Sequence, residues 1–164
     1  MLFDTHLHLI YRDRLDYPWL KDVAALNQDS RFDAFTRDAG RLGSEGCLHM
    51  EVDVAEPLIE DETLMIEELM AEPDSLLRGA ISSCRPENTD FPAFLERAAD
   101  IPTVKGLRRV LHVAPDGTSA TATFRDNIKR MADTGLTFDL SVFHRQHGLA
   151  LELVDHCPDV QFVL

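Results

Sequence analysis

Residues 1–10 read Met1-Leu2-Phe3-Asp4-Thr5-His6-Leu7-His8-Leu9-Ile10. The stretch turns from apolar to polar, as expected of a buried strand that carries a site at its carboxyl end. Because side chains alternate along a strand, His6 and His8 leave the backbone on the same face, roughly 6–7 Å apart. Two imidazoles at this spacing can converge on one cation, and Zn²⁺ and related transition metals accept such ligands. The alternative is that both histidines only satisfy hydrogen bonds at a strand end.

Length and composition predict a soluble globular protein with one domain, residues 1–164. The chain has 164 residues, of which 45% are hydrophobic, enough to build a core. Residues 1–10 lack the apolar centre of a secretory signal, and no stretch approaches the roughly 20 apolar residues of a membrane span. The three cysteines are far apart, which indicates reduced thiols and a cytoplasmic protein. A net charge of −13 argues against nucleic acid and anionic membranes as partners.

Strand-like and helical segments alternate along the chain without a short internal repeat. The predicted strands are residues 1–10, 46–54, 76–81, 104–111, 136–143 and 160–164. The predicted helices are residues 32–42 with Ser30 as a candidate N-cap, a second helix from about Pro57 to near Pro73, and residues 91–99, 120–133 and 149–156. Such alternation predicts parallel βαβ units and an α/β fold.

The same pattern leaves a barrel and an open sheet as candidate architectures. No Gly-rich phosphate loop follows the first strand, so a dinucleotide-binding sheet is poorly supported. A (β/α)₈ barrel usually needs about 200 residues or more, whereas here the last predicted strand coincides with the chain end. The sequence therefore predicts a barrel that is unfinished.

A long polar segment, residues 11–30, joins the first strand to the first helix. It contains Tyr17-Pro18-Trp19-Leu20. Long loops in compact domains are usually functional or disordered, and the aromatic and apolar side chains favour an ordered loop that is packed over something. Whether these side chains wall a pocket or simply cover core is left open by the pattern.

The second predicted strand carries an acid and an imidazole on one face. His49 and Glu51 alternate with Met50 and Val52. Burying acid and imidazole together is costly unless they are paired or bind a cation. Glu51 is therefore a candidate third metal ligand or the orienting partner of one. The alternative is an exposed edge-strand face that carries His49, Glu51 and Asp53.

A cluster of cations marks the fourth predicted strand and the residue after it. Lys105, Arg108 and Arg109 are followed by His112. Arginine suits bidentate binding of a carboxylate or polarisation of a carbonyl. Surface salt bridges are the ordinary interpretation, and contact with an anionic substrate is the functional one.

Six segments together carry a family resemblance that covers the whole chain. They are Phe3-Asp4-Thr5-His6-Leu7-His8-Leu9, Tyr17-Pro18-Trp19-Leu20, Met50-Glu51-Val52-Asp53, the Lys-Gly-x-Arg-x-Val-Leu-His-like run 104–112, Phe138-Asp139-Leu140, and residues 158–164. In this combination the chain resembles the amidohydrolase superfamily, and within it the lactonase-like group that includes sugar-lactone and dicarboxylate-lactone hydrolases.

The resemblance implies a (β/α)₈ TIM barrel, incomplete here with about six βα units, that forms the N-terminal three-quarters of such an enzyme. It implies a cytoplasmic hydrolase that opens a small sugar or anionic, carboxylated lactone by metal-assisted or Arg/His-assisted attack of water. The implied metal ligands are His6, His8 and Glu51, and the implied catalytic residues are His112, Arg109 and Lys105. Zinc is the leading divalent metal, and a metal-free enzyme is the alternative.

Two other functions remain open at this point. One is a decarboxylase or hydratase of the same superfamily, and the other is a non-catalytic truncated remnant. The family's acidic base at the eighth strand is expected beyond Leu164. A chain that ends at the sixth strand leaves open strand edges. The 164-residue chain alone is therefore expected to be inactive, and homo-oligomeric or poorly soluble.

Overall fold

A computed structural model describes residues 2–164, which form two compact units, one ending at Ser83 and the other beginning at Cys84. Within these residues there are six β-strands and five α-helices, together with short 3₁₀ turns. The predicted first strand, residues 1–10, includes Met1, which lies outside the described residues, and the strand ends at Leu7 instead of Ile10. Strands and helices alternate in both units, as the sequence pattern predicts.

The first unit contains three parallel strands and two α-helices. Its elements are β1 (Leu2–Leu7), α1 (Phe32–Arg41), β2 (Ser44–Met50), α2 (Ile59–Met70) and β3 (Leu77–Ser83). β2 lies between β1 and β3 and pairs with both. Gly46 permits the close approach of β1 and β2, since a Cβ there would lie 2.5 Å from Cε2 of the Phe3 ring.

β2 is shorter than predicted, because it ends at Met50 instead of continuing to Val54. The amide of Val52 donates to a side chain, Glu62 Oε1 at 3.0 Å, and Asp53 adopts a positive φ of 46°. The alternative of an exposed edge face is wrong. β2 is flanked on both sides, and His49 and Glu51 are 1% and 0% exposed.

The segment between β1 and α1 is an ordered loop closed at its base. Ile10 and Ser30 exchange two backbone hydrogen bonds of 3.0 Å. Ser30 is not the N-cap of α1, because Arg31 takes that position and no side chain caps the helix. Inside the loop, the amide of Tyr11 donates to the Tyr17 hydroxyl at 3.1 Å, and Leu20 is buried. The aromatic motif therefore holds the loop against the first unit.

Tyr17 is expected to make the protein sensitive to alkaline pH. Burial raises the pKa of Tyr17 to about 12, outweighing the opposing effect of the bond from the Tyr11 amide. The unfolded chain, with a tyrosine pKa of about 10, loses its proton first as the pH rises. Stability that is present below pH 10 should therefore fall between about pH 10 and 12, by an amount on the order of 2 kcal/mol.

Urea unfolding of the wild type and Tyr17→Phe across this pH range measures the effect. The variant should lose less stability than the wild type as the pH rises. Parallel losses in the two proteins would show that other groups, such as the Cys47 thiol, whose pKa burial raises to about 11, account for the pH dependence.

The second unit repeats the alternation with three further parallel strands. Its elements are α3 (Phe91–Ala99), β4 (Val104–Val110), α4 (Ala122–Lys129), β5 (Thr137–Ser141), α5 (His147–His156) and β6 (Phe162–Val163). β5 pairs with β4 on one side and β6 on the other. Phe124, Leu107 and Phe138 are fully buried in a shared core, which holds helices and strands together.

The helix ends in the second unit differ modestly from prediction. α3 has the predicted bounds, but α4 begins at Ala122 because the hydroxyl of Thr121 accepts the Phe124 amide at 3.3 Å and caps the helix. A 3₁₀ turn, Arg130–Asp133, completes the predicted helical stretch. α5 begins at His147, two residues earlier than predicted.

Two observations concern the cysteines and the helices. All three cysteines are buried free thiols. Among the helices of residues 2–164, none has the length and apolarity needed to cross a membrane.

Candidate functional site

The two histidines of residues 1–10 come together at the carboxyl end of β1. Their rings lie edge to face, with centroids 4.9 Å apart and planes at 85°. The side chain of Asp4 accepts the amide of His6 at 2.9 Å, near an irregularity in the pairing of β1 with β2. Rings at this separation can each direct a nitrogen at one ion, because zinc–nitrogen bonds are about 2.0–2.1 Å long.

The ring of His8 is oriented by the neighbouring strand. Its Nδ1 lies 2.9 Å from the carbonyl oxygen of Met50, the last residue of β2. A carbonyl can only accept, so Nδ1 carries the proton and Nε2 carries the lone pair. Metal-binding histidines commonly donate their second nitrogen in this way.

Glu51 follows Met50 directly and is fully buried. Its Oε2 accepts a hydrogen bond from the amide of Asp53 at 2.7 Å. The chain turns at Asp53, which has a positive φ. Its own amide donates to the carbonyl of Ile81 at 2.9 Å, which ties it to β3. Glu51 is thus a buried acid that directly follows, in sequence, the residue whose carbonyl orients His8.

The donor chemistry of these residues fits a divalent metal in part. Two imidazoles and a carboxylate form a zinc-type ligand set, and the His6–His8 pair is already assembled. Within the described part of the chain, however, no three histidine, cysteine or acidic side chains are gathered closely enough to hold an ion. The assignment of His6, His8 and Glu51 as metal ligands therefore stays a prediction.

In the second unit, His112 lies just beyond the carboxyl end of β4 and is held by Ser141 at the end of β5. The His112 amide donates to the Ser141 carbonyl at 3.0 Å, and its ring Nδ1 lies 3.1 Å from the Ser141 hydroxyl. The ring also lies against Phe143, with centroids 4.8 Å apart. These contacts fix the imidazole while leaving it half-buried, a suitable setting for proton transfer.

Arg109 lies near the same end of β4, but its charge has a partner. Its Nε donates to Glu87 Oε1 at 2.8 Å, and the two side chains are 13% and 25% exposed. The second carboxylate oxygen, Glu87 Oε2, is buried and has no hydrogen-bond partner among the described residues. Glu87 therefore offsets part of the positive charge that Arg109 could offer a substrate.

Lys105 lies at the opposite end of β4 from His112. It is the second residue of the strand, and its exposed Nζ donates to the carbonyl of Pro102 at 2.7 Å. Because its position along the strand separates it from Arg109 and His112, Lys105 has no part in the function proposed below. Alternation along a strand puts Lys105 and Arg109, four residues apart, on the same face of β4. It does not put them at the same end of the strand, which a shared site would require.

Four residues around the candidate groups are not among the residues predicted from sequence. They are Glu62, Glu87, Ser141 and, as a hydrogen-bond donor, Trp19. Each contacts a residue at a strand end through a pairing distant in sequence, for example Trp19 Nε1 with the carbonyl of Val52 at 2.8 Å. A polar residue on an otherwise apolar helix face, as at Glu62 and Thr63, is the one local signal that could have indicated such a contact.

The sequence matches a known family over nearly its whole length. Residues 3–164 match the family described as amidohydrolase. An uncharacterized protein from Sinorhizobium fredii, y4mH, is 25% identical over 183 residues, covering 99% of this chain and 61% of that protein. The chain thus spans less than two thirds of the length of this relative.

Solved structures with low sequence identity share the fold. A zinc-bound amidohydrolase from Burkholderia multivorans is 19% identical, with a TM-score of 0.82 over 100% of this chain and 57% of its own. A probable 2-pyrone-4,6-dicarboxylic acid hydrolase from Acinetobacter baumannii, with citric acid bound, is 15% identical, with a TM-score of 0.59 over 85% of this chain and 48% of its own. The predicted fold class, an incomplete (β/α)₈ TIM barrel with six strands, is thereby confirmed.

Proposed function

Because this chain belongs to the amidohydrolase family, we propose that the protein is a hydrolase that opens a small lactone, or a related ester or amide, by attack of water. The observation that carries the proposal is the His6–His8 pair at the carboxyl end of β1, with Nδ1 of His8 held by the Met50 carbonyl. In TIM-barrel enzymes the active site lies at the carboxyl ends of the strands.

His6, His8 and Glu51 are the proposed metal donors. Bound there, a divalent ion such as zinc would polarise the substrate carbonyl and lower the pKa of water. The bond between His8 and Met50 leaves the His8 Nε2 lone pair for ligation, and the bond from the Asp53 amide holds Glu51 in one orientation. The presence of zinc in the Burkholderia multivorans relative supports this choice of metal.

His112 and Arg109 are the proposed contributions of the second unit. His112 moves a proton between water and the leaving oxygen, because imidazole is a common acid–base group in enzymes and the Ser141 hydroxyl fixes its orientation. Arg109 donates hydrogen bonds to a substrate oxygen, and its pairing with Glu87 keeps the guanidinium in a defined position. This pairing favours a neutral carbonyl or a single carboxylate over a highly charged ligand.

A lactone is the proposed substrate class, and an anionic lactone is its first candidate. The name of the Acinetobacter baumannii relative, a probable 2-pyrone-4,6-dicarboxylic acid hydrolase, supports a cyclic ester as the substrate. Because this chain spans 61% of the length of its relative from Sinorhizobium fredii, the assay should use the full-length protein.

The test is hydrolysis of a panel of neutral and carboxylated lactones by protein that is freed of metal and then given zinc. Zinc should restore turnover in the wild type, and the double variant His6→Ala/His8→Ala should bind less zinc and lose the restored activity. As a matched control, exposed His147 replaced by alanine should behave as the wild type. Release of CO₂ from carboxylated aromatics without lactone opening would instead favour a decarboxylase, and zinc binding unchanged in the double variant would remove both histidines from the ligand set.

A further inference from the structure

The segment that carries Glu51 is held by two side chains from outside its strand. β2 ends at Met50, so the peptide groups of Val52 lack a strand partner on either side. The Val52 amide donates to Glu62 Oε1 of α2 at 3.0 Å. The Val52 carbonyl accepts from Trp19 Nε1 at 2.8 Å. Both polar groups of this one residue are therefore satisfied by side chains.

Glu62 is a buried acid whose position has a cost. It is 2% exposed and shares its Oε1 between the Val52 amide and His49 Nε2, the latter at 3.3 Å. The other nitrogen of His49, Nδ1, is buried without a hydrogen-bond partner among the described residues. A buried acid beside an incompletely satisfied imidazole is unfavourable for stability alone. A buried polar group without a hydrogen-bond partner calls for an explanation, such as a role in a functional site.

The held segment leads directly to two groups of the candidate site. Val52 lies between Glu51, whose carboxylate accepts the Asp53 amide at 2.7 Å, and Asp53 itself, with its positive φ. One residue before Glu51, the carbonyl of Met50 orients the ring of His8. Moving the Val52 peptide would therefore move the Glu51 carboxylate and the carbonyl that His8 depends on.

We infer that Glu62 and Trp19 are positioning residues. Their hydrogen bonds hold the Val52 peptide groups and thereby set the positions of the Glu51 carboxylate and the His8 ring. This inference rests on the proposed function only in taking a divalent metal as the ligand of Glu51 and His8. It assigns a role to Trp19 within the aromatic motif of residues 17–20, and to the buried acid on α2. Neither residue contacts the substrate in this scheme, so their replacement should change ligand affinity at the site through geometry.

The test compares Glu62→Ala, Glu62→Gln and Trp19→Phe with Thr63→Val in the purified protein. The glutamine variant keeps an oxygen that can accept the Val52 amide, whereas the alanine variant removes it. Thr63 is the matched control, since it is the next residue of α2, is buried, and bonds Ser82 at 2.9 Å instead of Val52. Zinc affinity is measured by competition with a chromogenic chelator, with Glu51→Ala as the reference for loss of a donor.

Zinc affinity should fall about 10-fold in Glu62→Ala, as when the outer partners of metal ligands are removed. It should fall less in Trp19→Phe and stay near the wild-type value in Glu62→Gln and Thr63→Val. Equal affinity in Glu62→Ala and the wild type would overturn the inference. An equal loss in Thr63→Val would overturn it as well, because the effect would then be general to α2.

Amide hydrogen exchange provides a readout that does not depend on metal or turnover. The Asp53 amide should exchange faster in Glu62→Ala than in the wild type and Thr63→Val, relative to the Cys47 amide, which bonds Leu76 at 2.8 Å and reports wider opening of the unit. If the wild type binds no zinc, the metal proposal fails and this measurement alone decides. Faster Asp53 exchange supports the inference, and unchanged exchange overturns it.

Discussion

Replacing His112 with alanine is expected to lower kcat/KM for lactone hydrolysis by about 10²–10⁴-fold, the usual contribution of a positioned acid–base group. The ring is held by the Ser141 hydroxyl at 3.1 Å and by Phe143, so its loss removes an oriented imidazole. Steady-state kinetics with a lactone substrate measures the size of the loss.

The matched control for this prediction is His147→Ala. His147 is an exposed histidine of the same unit, at the start of α5, and its replacement should leave kcat/KM unchanged. A loss below 10-fold in His112→Ala would exclude His112 as the proton-transfer group.

Phe138→Ala is expected to destabilise the protein by about 3–5 kcal/mol, the range for deleting a buried aromatic side chain. Phe138 is the second residue of β5 and is fully buried. Its ring meets Phe124 and Phe162 edge to face, at centroid distances of 6.2 and 6.1 Å. The variant would leave a cavity between α4 and the strands and lose two aromatic contacts.

Urea denaturation measures this loss, with Leu151→Ala as the control. Leu151 lies on α5 and is 66% exposed, so its replacement should change the free energy of unfolding by less than about 0.5 kcal/mol. A cost below about 1 kcal/mol for Phe138→Ala would mean that the surrounding side chains collapse into the space.

Local patterns predicted the order of elements because they depend on neighbours in sequence. The bounds of α3 are those predicted for residues 91–99. His6 in β1 and His8, which follows the strand end at Leu7, came together as their two-residue spacing predicts. The same rule failed at Glu51 and Val52. There the strand had already ended, and a side chain ten residues away took the Val52 amide.

The electrostatic environment of the candidate groups could not be predicted from sequence for a similar reason. The pattern 104–112 shows several cations, but the partner of Arg109 is Glu87, 22 residues earlier, in the connection before α3. The different settings of Lys105 and Arg109 depend on which strand end each occupies. The predicted strand 104–111 already placed Lys105 at its amino end and His112 beyond its carboxyl end, as the structure does, so only the Glu87 partner could not be predicted from the sequence.

The two backbone bonds between Ile10 and Ser30 close the base of the intervening segment, which the bond from Trp19 to Val52 also holds to the first unit. Because its ends are joined locally, doubling its length would add only about 0.6 kcal/mol of closure entropy. Insertions and exchanges within residues 23–28, which are exposed, can therefore accumulate while β1 and α1 keep their places. Changes in the length of this exposed stretch should therefore leave the histidine pair before the segment intact.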